Sequence, residues 1–290
     1  MAHMISVRRP LPILQALRVQ PPSIRRQCFS QSSALYYQDR SMQPQRPRQT
    51  PDRSMRVASK EMQKYPSDVG LLEYTFVTPT GSNAPRLFDS PSSFAKLRWE
   101  HVKSRLRDRV SLLVLWIASP AKKGFFKRTI KLSRSKITPT AVALHRQMYT
   151  SFAEGDVTTL RKMCADGIFD SFRTRIGNRQ RGEKVVWELV KYNKGSKLIS
   201  HRGARFPIEG GAIRQAVVRI SSRQKLTRWI KGKGGVLEMV PGSGKEKDVE
   251  EYVVVQRTTD RWKEGDWQVW GTTSETTLED IEEWERKKLE

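Results

Sequence analysis

Cysteine is almost missing from this chain, with only Cys28 and Cys164 among 290 residues. Two thiols that far apart build no disulfide framework, and neither sits at metal-ligand spacing. Histidine is as sparse. His3, His101, His145 and His201 are scattered, without the second histidine or carboxylate at the spacing a bound zinc requires. Long apolar runs are lacking too. Val110 to Ala118 is nine residues long and includes Ser111, far short of the roughly 20 apolar residues of a membrane span. The first 38 residues contain no acid at all.

The positive charge is therefore unevenly placed. Of the formal +24, residues 1–38 supply five Arg and no acid, and residues 39–136 supply 21 basic against 8 acidic side chains. Residues 137–290 hold 28 against 22, a composition usual for a globular domain. A block of one sign repels itself and calls for a large negative partner, either nucleic acid or an anionic membrane surface; the alternative is a disordered basic tail.

The acid-free N-terminus, rich in Arg, Ser and Gln, has the composition of a mitochondrial transit peptide. Ile13, Leu14, Leu17 and Val19 flank Arg18 in an imperfect amphipathic patch, and the run Arg25–Ser33 reads as a processing site. Residues 1–29 are assigned to the transit peptide on this basis; a basic, unstructured N-terminus of a cytosolic protein is the competing reading. No apolar core follows the charges, which argues against secretion. Residues 30–92 carry Pro44, Pro47, Pro51, Pro66, Pro79, Pro85 and Pro91 and read as an extended arm. Within it, Gly70–Val77 is suited to pair as a short strand or to pack as an anchor.

Residues 93–136 form a basic helix and connector. Phe94, Leu97, Val102, Leu106, Val110, Leu113, Val114 and Ile117 recur at helical steps up to Ser119–Pro120. Basic residues at 96, 98, 103, 105, 107 and 109, with Trp116, suit a helix lying on RNA or on a membrane surface, with Arg105, Arg109 and Trp116 as the candidate contacts. An ordinary domain helix with a solvated face fits equally. The connector 121–136 holds seven Lys or Arg and no acid, interleaved with Phe125, Phe126 and Ile130. Lys122, Lys123, Lys127, Arg128, Lys131, Arg134 and Lys136 are the candidate RNA-binding residues, able to neutralise phosphates along a chain free to follow an RNA surface.

From 137 to 273 the pattern is that of an α+β domain, helices first and then antiparallel strands. Thr138 and Pro139 open a helix with Leu144, Met148 and Phe152 on one stripe. Gly155 stops it and Asp156 caps the next, an assignment that explains the Gly-Asp pair better than a catalytic carboxylate does. Leu160 and Met163 face inward, Cys164 is a buried inert thiol, and Ile168–Ile176 forms a further helix with Phe169 and Phe172. Strand periods then follow over Val185–Tyr192, Lys197–Phe206, Ile213–Trp229, Gly235–Val240, Val249–Arg257 and Trp267–Thr272. The turn Pro241–Gly244 separates two of them. Val249 to Arg257 and Trp267 to Thr272 make an antiparallel hairpin with Gly265 and Asp266 in its loop, and Trp187, Trp267 and Val253 are expected in one core. Residues 274–290 form a short acidic helix, with Thr277 three residues before Asp280 and Ile281 and Trp284 inward.

Catalytic signatures are weak. PGSGKEK lacks the glycine five residues before Gly244, and Glu246 stands where a phosphate loop has Ser or Thr. Tyr149, Asp170 and His145 lie on or near one set of helices, and nothing in the sequence pairs them.

The helices followed by a long sheet resemble the cone of the nuclear-transport-factor superfamily. VVWELVKY, Arg202 after KLIS, AVVRISSRQKL, KDVEEYVVVQR and GDWQVWG resemble one branch of it over about residues 138–272. That branch comprises the import-motor scaffold subunit's C-terminal domain, mitochondrial large-subunit protein forty-five and the fungal membrane-associated mitoribosome receptor. The resemblance implies a non-enzymatic component of the large mitochondrial ribosomal subunit near the tunnel exit, on the matrix side of the inner membrane. Its partners would be mitochondrial rRNA, neighbouring large-subunit proteins, the inner-membrane insertase or a lipid surface, and the nascent chain, with no cofactor. The competing expectations are an import-motor scaffold, which calls for an acidic or chaperone-binding helical N-terminal region, and an enzyme using the cone as a pocket.

Overall fold

The computed structural model describes residues 68–288, apart from residues 87, 123–126 and 233–234 and the side chain of Ser82. The expected transit peptide, most of the arm, Cys28, Lys123, Phe125 and Phe126 lie outside the described residues. Residues 67–290 belong to one compact unit.

Its class is α+β, as the sequence implies. The element order is α1 (Pro91–Ala118), α2 (Arg134–Glu154), α3 (Val157–Met163), α4 (Asp166–Gly177), β1 (Lys184–Arg205), β2 (Ala212–Lys231), β3 (Leu237–Met239), β4 (Glu246–Asp260), β5 (Lys263–Glu264), β6 (Gln268–Thr273) and α5 (Leu278–Arg286). The strands form one antiparallel sheet in which β1 pairs β2, β2 pairs β4, and β4 pairs both β5 and β6.

Two expected strands, 185–192 and 197–206, are halves of the single 22-residue β1. The segment between them is absorbed in register shifts from Leu189 to Ser200, bulges that bend a strand without ending it. The turn at Pro241–Gly244 joins two strands that both run along β2, Trp229 facing Met239 and Lys225 facing Glu246. It interrupts one edge rather than reversing the chain, with Gly242 and Gly244 in the left-handed region. The β4–β6 hairpin is as expected, with Val253 opposite Thr272 and Val255 opposite Val269. Trp267 falls just before β6 and is half-buried, as is Trp187, while Val253 is fully buried. The tryptophans therefore sit at the margin of the core expected to enclose them.

Helix α2 begins at Arg134, a turn before Thr138, so Pro139 lies inside it. At this sixth position proline has no N–H to donate to the Ser135 carbonyl, so the helix gives up one backbone bond there. Gly155 ends α2 with φ 77°, and Asp156 accepts from the backbone N–H of Thr158 and Thr159 at 3.0 and 3.1 Å. Hydrogen bonds from the Thr158 and Thr159 side chains, with those backbone bonds, hold its carboxyl down at about 2. Leu160, Met163 and Cys164 are buried, and burial pushes the Cys164 thiol up to about 12. The backbone N–H of Ala165 donates to Val269 at 2.8 Å, tying the α3–α4 junction to β6.

Residues 251–256 of β4 are buried without a break, so both faces of the sheet are covered there. One face meets α2. The other meets Leu71 and Val77, which pack with Val217, Tyr252 and Val254. Gly70–Val77 thus acts as an anchor. The Gln215 side chain accepts from Leu72 N–H at 2.9 Å and donates to Gly70 C=O at 2.7 Å, while Val77 and Thr276 exchange two bonds. Phe76, Leu97 and Ile281 then join the anchor, α1 and α5, whose Thr277–Asp280 capping box is complete.

The β4–β5 turn places Arg261 and Trp262 at φ 45° and 63°, positions that two-residue hairpins normally fill with Asn-Gly. Gly210 holds it. Its carbonyl accepts from Trp262 N–H at 3.0 Å, and a Cβ on Gly210 would lie 2.6 Å from Arg261 Cα. Gly210→Val is expected to cost about 2 kcal/mol or more in urea unfolding. Gly235→Ala, which shares the positive φ but meets nothing within 4 Å, should cost about 1 kcal/mol. Equal costs would show that the Gly210–Arg261 approach constrains nothing.

Candidate functional site

The described residues of the connector are tied to one another and to the domain. Ala121 and Arg128 form an isolated antiparallel bridge, Lys122 N–H donates to Lys127 C=O at 2.7 Å, and Thr129 N–H donates to Pro120 C=O at 3.0 Å. Ile130, interleaved among the basic residues, is buried with Leu115 and Ala212 and pins the loop to the domain. Lys122, Lys127, Lys131, Arg134 and Lys136 are exposed. Arg128 is committed elsewhere: its Nη1 donates to the carbonyls of Ile117 and Ser119 at 2.7 Å each, and its guanidinium lies 5.5 Å from the Trp116 ring. It caps α1, whose last carbonyls have no partners within the helix. Trp116 is half-buried beneath it, while Arg105 and Arg109 are exposed along α1.

Beside the loop lies a cleft of about 600 Å³. Lys122 and Lys131 line it from the connector, and Arg257, Arg261, Trp262 and Lys263 line it from the β4–β5 hairpin. These hairpin residues were not among the sequence candidates, because they lie about 130 residues from the connector. Glu264 adds the cleft's one acid and is itself neutralised by Arg214 at 2.7 Å and Arg257 at 3.0 Å. Arg214, buried, also donates to Lys131 C=O at 3.0 Å. The Arg214 and Arg257 guanidiniums lie 5.5 and 5.9 Å from the Trp267 ring. Nearby, burial and the charges of Arg214 and Arg134 push the His201 imidazole down to about 3, so it is neutral. The cleft is thus a positively charged concavity with an indole on its wall, suited to a phosphodiester and a base.

A second cluster lies inside the α2-covered face. Glu251 accepts from Tyr149 Oη at 2.5 Å and Gln224 Nε2 at 2.9 Å, and it pairs with His145 Nε2 at 2.8 Å. Gln224 accepts in turn from Trp187 Nε1 at 3.0 Å, and Trp187 stacks on Tyr149. Two of the three residues that the sequence leaves unpaired, His145 and Tyr149, therefore meet on one carboxylate, while Asp170 is exposed elsewhere. The legible signal was a Glu in phase with Val249, Val253 and Val255. Burial raises the Glu251 carboxyl, but the bond and charge of His145, with Tyr149 and Gln224, outweigh it and hold the group below its ordinary range. Burial and the neighbouring Glu251 push the Tyr149 phenol far up, so it stays a donor. The residue types are those of acid–base chemistry. The carboxylate, however, is occupied on both oxygens by its own chain. Among the described residues, no group of three His, Cys, Asp or Glu is placed to hold a metal ion.

A buried carboxylate satisfied by its own chain, beside an outer cleft lined by cations, has the build of a binding surface. The chain belongs to the MBA1-like protein family, whose model matches residues 122–287, from the connector to α5. That family is mitochondrial and membrane-associated, a structural and receptor family rather than an enzyme family. A comparison with curated proteins finds no match.

The Glu251 cluster sets an acid dependence. A carboxyl held below its ordinary value of 4.5 stabilises the fold above that pH, and the contribution is lost as pH falls through the lowered value. Glu251→Ala should cost about 3–5 kcal/mol near neutrality, because three polar partners lose their acceptor. Glu251→Gln should cost less, and its deficit from wild type should shrink as pH falls from about 6 to about 3. A deficit that stays constant over that range would exclude an ionised Glu251.

Proposed function

We propose that this chain is a membrane-associated receptor of the mitochondrial ribosome, seated on the large subunit near the tunnel exit on the matrix side of the inner membrane. The convergence of Lys122, Lys131, Arg261 and Lys263 on one cleft carries the reading, together with membership of the MBA1-like family. The cleft grips rRNA through its phosphates, which needs no base readout. Neighbouring large-subunit proteins and the insertase meet the remaining surface, so that nascent chains emerge beside the membrane. Helices against a long antiparallel sheet support the cone reading of the fold. The basic, acid-free residues 1–29 serve as the transit peptide, and their deletion should leave the protein outside mitochondria.

Each phosphate neutralised releases counterions, so binding to the large subunit should weaken steeply with salt, with a log–log slope of roughly −0.7 to −0.9 per contact. Combining Lys122→Ala, Lys131→Ala, Lys263→Ala and Arg261→Asn should flatten that slope by about three units. Asn tolerates the left-handed backbone at 261, so the fold is kept. Arg128 is left intact because it caps α1. An unchanged slope, with co-sedimentation retained at moderate salt, would show that a protein contact rather than RNA anchors the chain.

A further inference from the structure

Helix α1 is turned the opposite way from an ordinary domain helix. Between Leu97 and Leu115, which are buried near its two ends, its buried side is polar. Glu100 pairs with Lys103 and Arg107, Asp108 accepts from Ser200 Oγ at 2.8 Å and pairs with Arg202, and Ser104 is buried beside them. Its apolar side faces out. Trp99, Val102, Leu106, Val110, Leu113 and Ile117 are 47–62 % exposed. Their steps of three and four residues keep them in one stripe, about 27 Å long at 1.5 Å per residue.

Cations flank the stripe on both sides. At 100° per residue, Arg98, Arg105 and Arg109 border it on one side and Lys96, Lys103 and Arg107 on the other. The second row is engaged, Lys96 with Glu285 at 3.0 Å and the other two with Glu100. Arg98, Arg105 and Arg109 are in no ion pair among the described residues. Glu100 and Asp108 are the only acids of the helix, and both point inward. No described helix is long and apolar enough to cross a membrane.

We propose that this face of α1 is a lipid-docking surface that lies flat at the headgroup–acyl boundary of an anionic phospholipid membrane. An apolar stripe bordered by cations is the pattern that inserts side chains among acyl chains and sets charge against phosphates. The inference deepens the receptor reading above, on which it rests, by assigning the surface and the lipid class. The charges select the occupant. A second copy of the helix would set like-charged rows against each other. Residues 1–67 hold twelve Lys or Arg against three acids, a poor match for a cationic border. RNA would gain nothing from six exposed apolar side chains.

The purified full chain, free of ribosomes, tests this by flotation with vesicles of phosphatidylcholine alone or mixed with phosphatidylglycerol. Wild type should bind the anionic vesicles and bind neutral ones weakly. Leu106→Gln with Leu113→Gln, both good helix formers at exposed sites, should lower vesicle binding at least about tenfold and leave large-subunit co-sedimentation unchanged. Arg98→Gln, Arg105→Gln and Arg109→Gln together should abolish the preference for anionic vesicles, since each cation near such a surface strengthens binding roughly fivefold. Flotation of the double leucine variant like wild type would overturn the proposal. So would loss of large-subunit binding in that variant, which would assign the stripe to a protein partner. Loss of ribosome binding by wild type, with vesicle binding intact, would sink the receptor reading alone.

Discussion

Strand β4 has two faces to cover, and most of the architecture follows from that. A strand buried on one face needs one layer of helices, whereas residues 251–256 are buried on both. Helix α2 supplies the first layer from the chain just before the strands. The second has to be drawn from outside that run: Leu71 and Val77 from before α1, with the adjacent Phe76 packed in turn on Ile281 from after β6. This is why a proline-rich arm ends as an anchor, and why the bonds between Val77 and Thr276 join positions almost 200 residues apart. The arm's last turn, the basic helix and the acidic C-terminal helix are thereby one layer of one unit.

Covering both faces also buries charges, and each buried charge is met by a specific partner: Glu251 by His145, Tyr149 and Gln224, Asp108 by Ser200 and Arg202, Arg214 by Glu264. For α1 this arrangement works against stability. Burying a Leu or Val side chain contributes about 1.5–3 kcal/mol, against about 1 kcal/mol net for a typical internal hydrogen bond. Packing alone would therefore turn the stripe of α1 inward. The sequence instead specifies Glu100, Ser104 and Asp108 on the inner side and leaves the stripe in water. Local rules broken without a gain in the fold mark surfaces selected for something outside it.

Much of the fold was legible because period is a local property. The hairpin from Val249 to Thr272, the Gly155–Asp156 stop and cap, and the Thr277 capping box all rest on residues within one or two turns of each other. β1 was read as two strands because bulges break its alternation without breaking its pairing with β2. The site was far less legible. The same three- and four-residue spacing describes a stripe facing the core or the solvent, so the orientation of α1 depends on Ser200 and Arg202, ninety residues away. Glu251 betrayed itself only as a carboxylate in phase with valines, and its partners come from α2 and β2. The hairpin cations of the cleft meet Lys122 and Lys131 only after the sheet has closed. Arg128 carries the same charge as its exposed neighbours, and only geometry assigns it to the end of a helix.

Arg128 also joins the two outer surfaces. By capping α1 and lying over Trp116, it fixes the start of the connector to the end of the striped helix, while Ile130 pins the next residues against Leu115 of the same helix. The cleft and the stripe are therefore fixed parts of one body. Their physics differ. The binding proposed for the cleft would depend on charge and fade with salt, whereas the apolar part of that proposed for the stripe would be insensitive to screening and be lost by removing methylene groups. In the reading proposed above, a rigid joint between them would set the gap between an RNA surface and a lipid surface by folded structure, with no flexible linker to be ordered when both are engaged at once.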